Sequence, residues 1–103
     1  MKSYFKPQKV KSKALTDSAK GEQCVLNTPV CSHDSKTVVF CHAPSEGKGV
    51  ATKSDDFWGA FGCSNCHQWL DSNKGTDKER QFYWLRGIYR TLKRQFDKGL
   101  LKP

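Results

Sequence analysis

The clearest alternation of apolar and polar positions lies near the C-terminal end, over residues 77–99. Leu85, Ile88, Tyr89, Leu92 and Phe96 recur at helical spacing and form one apolar stripe, expected to pack on the core. Arg80, Arg86, Arg90, Lys93, Arg94 and Lys98 cover much of the remaining surface. That basic face is expected either to touch a polyanion or to be only solvated. Thr76-Asp77-Lys78-Glu79 reads as a capping box, with Thr76 at the N-cap and Glu79 at the third helical position. Upstream, Thr37, Val38, Val39 and Phe40 make residues 36–42 the best strand. Residues 57–62 read as a second strand, weakened by Gly59 and Gly62. A helix is expected to begin at Cys63 or Ser64 and to run to about Ser72, where Asn73 and Gly75 break it. Residues 21–35 are turn-rich, and residues 43–56 form a polar loop containing Gly47 and Gly49. Residues 1–20 lack a sustained period. Lysines recur there at 2, 6, 9, 11, 13 and 20, and Pro7 interrupts any helix. The segment reads as a flexible basic arm, either a plain tail or one that lies along phosphates.

Composition narrows the possibilities. With 103 residues there is room for one domain, here residues 21–103 behind the arm, and no repeat or second domain is visible. Only 36% of residues are hydrophobic, so the core is thin and a metal staple would help it fold. The aromatic residues from Phe57 to Phe96 are expected to supply most of that core. The net charge of +8 is unevenly spread. Residues 1–20 carry six Lys against Asp17, and residues 74–103 carry nine Lys/Arg against three acids. The intervening residues carry three Lys against six acids and hold all five cysteines and all three histidines. Basic flanks suit a polyanion, and an acidic, His-containing centre suits divalent cations. No apolar h-region follows the charged start, and no stretch is long enough to span a membrane. The expectation is a reducing cytoplasm, where paired cysteines are more often metal ligands than disulfides.

Cys63-Ser-Asn-Cys66-His67 fits two chemistries. As C-x-x-C-H it is the attachment pattern for a c-type haem. With no leader expected and Met1 the only methionine, a covalent haem and its axial ligands have little support in the sequence. As half of a tetrahedral site it fits better. Cys63 and Cys66 are spaced to grip one ion, and Cys24 and Cys31 supply a second, looser pair. The four thiolates would make a structural Zn²⁺ site contributing roughly 10 kcal/mol or more to folding. Cys41 is left as a buried core thiol, on the strand face opposite His42. His33 reads as a solvated residue or a spare zinc ligand. His67 and Asp71 are four residues apart on one helix face, so they form either a surface hydrogen bond or part of a second ion site. His42, ending a strand beside a Gly-containing loop, is either a structural histidine or a general base.

The ordered set of Cys24, Cys31, a strand ending in His42, Lys53-Ser54-Asp55-Asp56, Cys63-x-x-Cys66-His67 and Asp71 resembles the HNH/His-Me-finger nucleases. Within them it is similar to the small prophage YbcO-like nuclease family, and a phage recombination-enhancement nuclease looks like a more distant relative. The resemblance covers about residues 20–73. It implies an α+β fold: a small zinc-stapled ββα-metal core with a basic N-terminal arm and a long C-terminal helix. It also implies a metal-dependent DNA endonuclease of phage or prophage origin, linked to recombination or DNA processing, in the cytoplasm of a bacterial host. His42 would then be the base, with Asp56 orienting it or helping to bind metal. His67, with Asp71 as a further ligand, would hold a catalytic Mg²⁺ or Mn²⁺. Two departures stand out: Ser54 replaces the proline of the family loop, and Cys41 stands where a metal ligand usually precedes the base. Implied partners are DNA and a recombination protein, with no membrane and no haem. The rival reading is a zinc-stapled DNA-binding or recombination accessory protein without catalysis.

Overall fold

A computed structural model describes residues 10–44 and 55–101. Elements follow in the order α1 (Lys13–Asp17), a 3-10 turn (Ser35–Thr37), β1 (Val39–His42), β2 (Gly59–Gly62), α2 (Ser64–Asp71) and α3 (Asp77–Asp97). Among the described residues this is a small α+β fold of three α-helices and one two-stranded sheet. Lys2, Lys6 and Lys9 of the expected arm, and Gly47, Gly49, Lys53 and Ser54 of the expected loop, lie outside the described residues.

β1 starts later than the run of β-formers does. The Asp34 carboxylate accepts the Lys36 N–H at 3.0 Å and winds residues 35–37 into the 3-10 turn. β1 and β2 pair antiparallel, from Val39 opposite Gly62 to His42 opposite Gly59. Strand alternation puts Cys41 and Ala60 on one face and Phe40, Phe61 and His42 on the other. Cys63 caps α2 at the end of β2, and Asn73 (φ 58°) and Gly75 (φ 71°) turn the chain into α3. The capping box at the start of α3 is made in full: Thr76 Oγ1 accepts the Glu79 N–H at 3.1 Å, and Glu79 Oε1 accepts the Thr76 N–H at 2.8 Å.

α3 exists where its pattern predicts, but it turns a different face inward. Trp84, Gly87, Ile88, Thr91 and Gln95 are buried. Of the predicted stripe, Ile88 is buried and Leu92 half-buried, while Leu85, Tyr89 and Phe96 remain 62%, 63% and 53% exposed. The cause is a close approach at Gly87, where the missing side chain lets the helix settle on Leu26 and Ala60. Thr91 Oγ1 then accepts the Phe61 N–H at 3.0 Å, which draws a polar residue into the contact. The aromatic core is correspondingly smaller than the composition suggests. Phe61 and Trp84 are buried, Trp58, Trp69 and Tyr83 pack partly against the core, and Phe57, Phe82, Tyr89 and Phe96 face out.

The basic residues of α3 have internal work. Arg86 donates to the Leu26 carbonyl at 3.1 Å, and Arg90 to Asn27 Oδ1 at 3.0 Å. Arg94 reaches Glu22 at 2.8 Å, and Lys98 reaches both Glu22 at 2.7 Å and the Ser18 carbonyl at 2.9 Å. Four cations at i, i+4 spacing thus line one side of the helix and clip the segment from Ser18 to Asn27, which carries Cys24. Burial alone would raise the Glu22 carboxyl, but the hydrogen bonds from Lys98 and Arg94 outweigh it and hold the group below its ordinary range.

The inner half of the basic arm is folded. Ser12 caps α1 by accepting the Leu15 N–H at 3.3 Å, and Leu15, Ser18 and Ala19 are buried. Gln95 Nε2 donates to the Leu15 carbonyl and to Ser18 Oγ, both at 3.2 Å, tying α1 to α3.

Candidate metal centre and histidine sites

Cys24 lies on the segment clipped by α3 and Cys31 in the turn just beyond it, while Cys63 and Cys66 flank the first turn of α2. The fold brings the four sulfurs within 4.8 Å of one another. The Cys24–Cys66 and Cys31–Cys63 separations are 3.6 and 3.9 Å. Four thiolates at about 2.3 Å from a tetrahedral ion would be about 3.8 Å apart, whereas a disulfide needs about 2.05 Å. The donor set therefore fits a structural metal such as zinc. Thr28 donates to Cys66 Sγ through Oγ1 at 3.1 Å and through its backbone N–H at 3.4 Å. Asn27 Nδ2 lies 3.7 Å from Cys31 Sγ. Such outer donors orient thiolates and soften their charge. At this spacing the thiols do not titrate alike. The hydrogen bond shared with Cys66 lowers the Cys24 thiol to about 4 and pushes that of Cys66 up. His33 remains exposed, with Nδ1 3.7 Å from Cys31 Sγ. Cys41 is a core thiol, fully buried, and desolvation pushes it up to about 12.

The other candidates come in two pairs. His42 Nε2 lies 2.8 Å from Asp56 Oδ1, joining the end of β1 to the turn before β2. His67 Nε2 lies 3.1 Å from Asp71 Oδ2 along the exposed face of α2. Among the described residues, the four cysteines are the group of three or more potential ligands drawn together, and each histidine pair stands outside it. The Asp56 carboxyl is held below its ordinary value by the hydrogen bond to His42 and by that from the Ser12 backbone N–H.

A family model described as "Putative nuclease YbcO" matches residues 13–100. The chain belongs to this family. A solved structure described as "Structure of a putative bacteriophage protein from Escherichia coli str. K-12 substr. MG1655" matches with a TM-score of 0.66 at 24% sequence identity. The match covers 82% of this chain and 98% of that one, and the likeness is one of fold. No curated protein matches the sequence. The YbcO match spans all four cysteines, both histidine pairs and the clip formed by α3, and it begins one residue after Ser12.

Four contributors to these sites lie outside the motifs. Thr28 and Asn27 support the cysteines, and a short polar residue between ligand cysteines is a weak signal that could have marked them. The main chain of Val10 and Ser12 has no signal at all, because backbone donors look the same in every sequence. Asp55 and Asp56 each accept one of those two N–H groups.

Proposed function

We propose that the chain is a metal-dependent endonuclease of HNH type that hydrolyses DNA phosphodiester bonds, encoded by a phage or prophage and acting in the bacterial host cytoplasm. The observation that carries this reading is the His42–Asp56 pair at 2.8 Å, at the end of a strand and before the C-x-x-C-H helix. With Nε2–H donating to the carboxylate, Nδ1 keeps its lone pair for a proton. His42 Nδ1 takes a proton from water, and the water oxygen bonds to phosphorus. The P–O3′ bond then breaks, and the departing O3′ takes a proton from solvent. Asp56 holds the ring in its tautomer and offsets the charge of the imidazolium that forms. His67 and Asp71 would hold a divalent Mg²⁺ or Mn²⁺, which supplies neutralisation of the scissile phosphate when bound. The family description supports nuclease chemistry, and the neighbour's description as a bacteriophage protein supports phage or prophage encoding. No helix among the described residues is long and apolar enough to cross a membrane.

Supercoiled plasmid with Mg²⁺ or Mn²⁺ tests the reading. We expect nicking by the zinc-loaded protein, its loss in His42→Ala, and a fall of about 100-fold or more in His67→Ala. Equal cutting by His42→Ala would remove His42 as the base. A second reading, an accessory DNA-binding protein without turnover, draws on the histidine pairs offering two potential ligands each. It predicts metal-independent DNA binding with no nicking, also in the presence of a recombination partner.

A further inference from the structure

The segment Val10–Ser12 lies against the His42–Asp56 pair in extended contact. Val10 N–H donates to Asp55 Oδ1 at 2.6 Å, and Asp56 N–H returns to the Val10 carbonyl at 2.8 Å. Ser12 N–H donates to Asp56 Oδ2 at 2.7 Å. Each oxygen of Asp56 therefore has its own partner, His42 on Oδ1 and the arm on Oδ2. A carboxylate held at both oxygens cannot swing away from the imidazole, so the arm fixes the orientation of the pair. Ser12 also caps α1, whose Leu15 is buried, so the segment is anchored on its far side as well.

Between the two pinned amides stands Lys11. Its side chain is exposed, and its charge is near enough to Asp56 to help hold that carboxyl ionised. Several other cations among the described residues already have partners of their own. Arg86, Arg90, Arg94 and Lys98 clip the cysteine loop, Arg80 binds the carbonyls of Lys74 and Gly75, and Lys13 pairs with Asp17 at 3.0 Å. Among the described residues, Lys11 is a cation that the backbone sets beside Asp56, the partner of His42.

The geometry points to residues Val10–Ser12 as a wall of the catalytic site, in which the Ser12 amide positions Asp56 and Lys11 binds a DNA phosphate next to His42. This rests on the endonuclease reading and adds two residues to it. Both lie just before the region matched by the family model. The consequence is coupling: a phosphate that engages the arm also steadies the histidine pair that would attack it. Lys11 is a binding residue and Ser12 a positioning one.

Two measurements on the full-length, zinc-loaded protein test this. The first is cleavage kinetics. Lys11→Ala should lower kcat/KM for DNA cleavage by about tenfold or more, with Lys11→Arg recovering most of the loss. Replacing the Ser12 amide by a backbone ester, which deletes only the N–H and leaves the extended φ of −150° and the capping hydroxyl in place, should lose at least about tenfold more turnover than Ser12→Ala, which deletes only the cap. Zinc content and melting curves confirm that each variant is folded. The second is the ring ¹⁵N–¹H signals of His42 during titration with inorganic phosphate. They should shift in the wild type and need about tenfold more phosphate in Lys11→Ala. Unchanged kcat/KM in Lys11→Ala, or an equal phosphate response in the two proteins, overturns the proposal. If the wild type cuts no DNA and the phosphate response still depends on Lys11, the endonuclease reading falls and the phosphate site stands.

Discussion

Gly87→Ala is the substitution that most directly tests how α3 is seated. On helix propensity alone it should stabilise, since alanine is favoured over glycine in a helix interior by about 1 kcal/mol. The packing reverses that sign. A Cβ on residue 87 would lie 2.6 Å from Leu26 Cδ2 and 3.1 Å from Ala60 Cβ. Carbon atoms in contact normally sit about 3.5–4.0 Å apart. Leu26 cannot yield, because it is fully buried and its other methyl faces Gly62, where a Cβ would lie 2.5 Å away. The leucine is wedged between two glycines. Overpacking of this kind costs about 3 kcal/mol at the upper end, which leaves a net loss of about 2 kcal/mol. For a domain of this size that is a fall in Tm of about 8–16 °C, readable by thermal melting at saturating zinc. Leu26→Ala alone should cost about 2–5 kcal/mol. In the double variant the Gly87→Ala penalty should largely vanish, because the atom it strikes is gone. A Tm for Gly87→Ala at or above that of the wild type would refute the close approach, and with it the inward face of α3.

Two further predictions follow from the metal centre and the clip. Removal of metal by a strong chelator should unfold the chain, given a contribution of about 10 kcal/mol or more from a four-thiolate site. Cys66→Ser should lose the ion, while Cys41→Ser keeps one ion per chain by metal analysis. Glu22→Gln should cost about 1.5–3 kcal/mol at neutral pH, as urea denaturation would show, because Arg94 and Lys98 lose their charged acceptor. The Glu22 carboxyl is depressed in the folded state, so its contribution is complete above its ordinary value near 4.5 and is lost as pH falls through the folded value. The wild type and Glu22→Gln should therefore converge in stability in acid.

Much of the local structure was legible, for a physical reason in each case. The capping box at Thr76 and the break at Asn73 and Gly75 depend on neighbours within a few residues, so they can be read where they stand. The cysteine site was legible because tetrahedral thiolate chemistry demands a short pair such as Cys63 and Cys66, and because a second pair was present to complete it. The burial of Cys41 opposite His42 followed from strand alternation. Asp56 was visible as an acid of the right kind, although whether it would orient His42 or serve a metal was open.

What the sequence by itself determined was the two strands and the two longer helices, their order and the residue types able to carry chemistry, whereas α1 and the 3-10 turn were not read from it. Hydrophobic period, turn chemistry and ligand spacing are properties of short stretches. The tertiary structure decided which side of α3 meets the sheet, because that depends on a glycine fitting over Leu26, 61 positions away in the chain. It turned the basic helix face into a clip, because the carbonyls and carboxylate that satisfy those cations lie in the loop around Cys24. It also set the Ser12 amide on Asp56 at a separation of 44 residues. Contacts of that kind use backbone groups and empty space, and neither leaves a mark in the side-chain pattern.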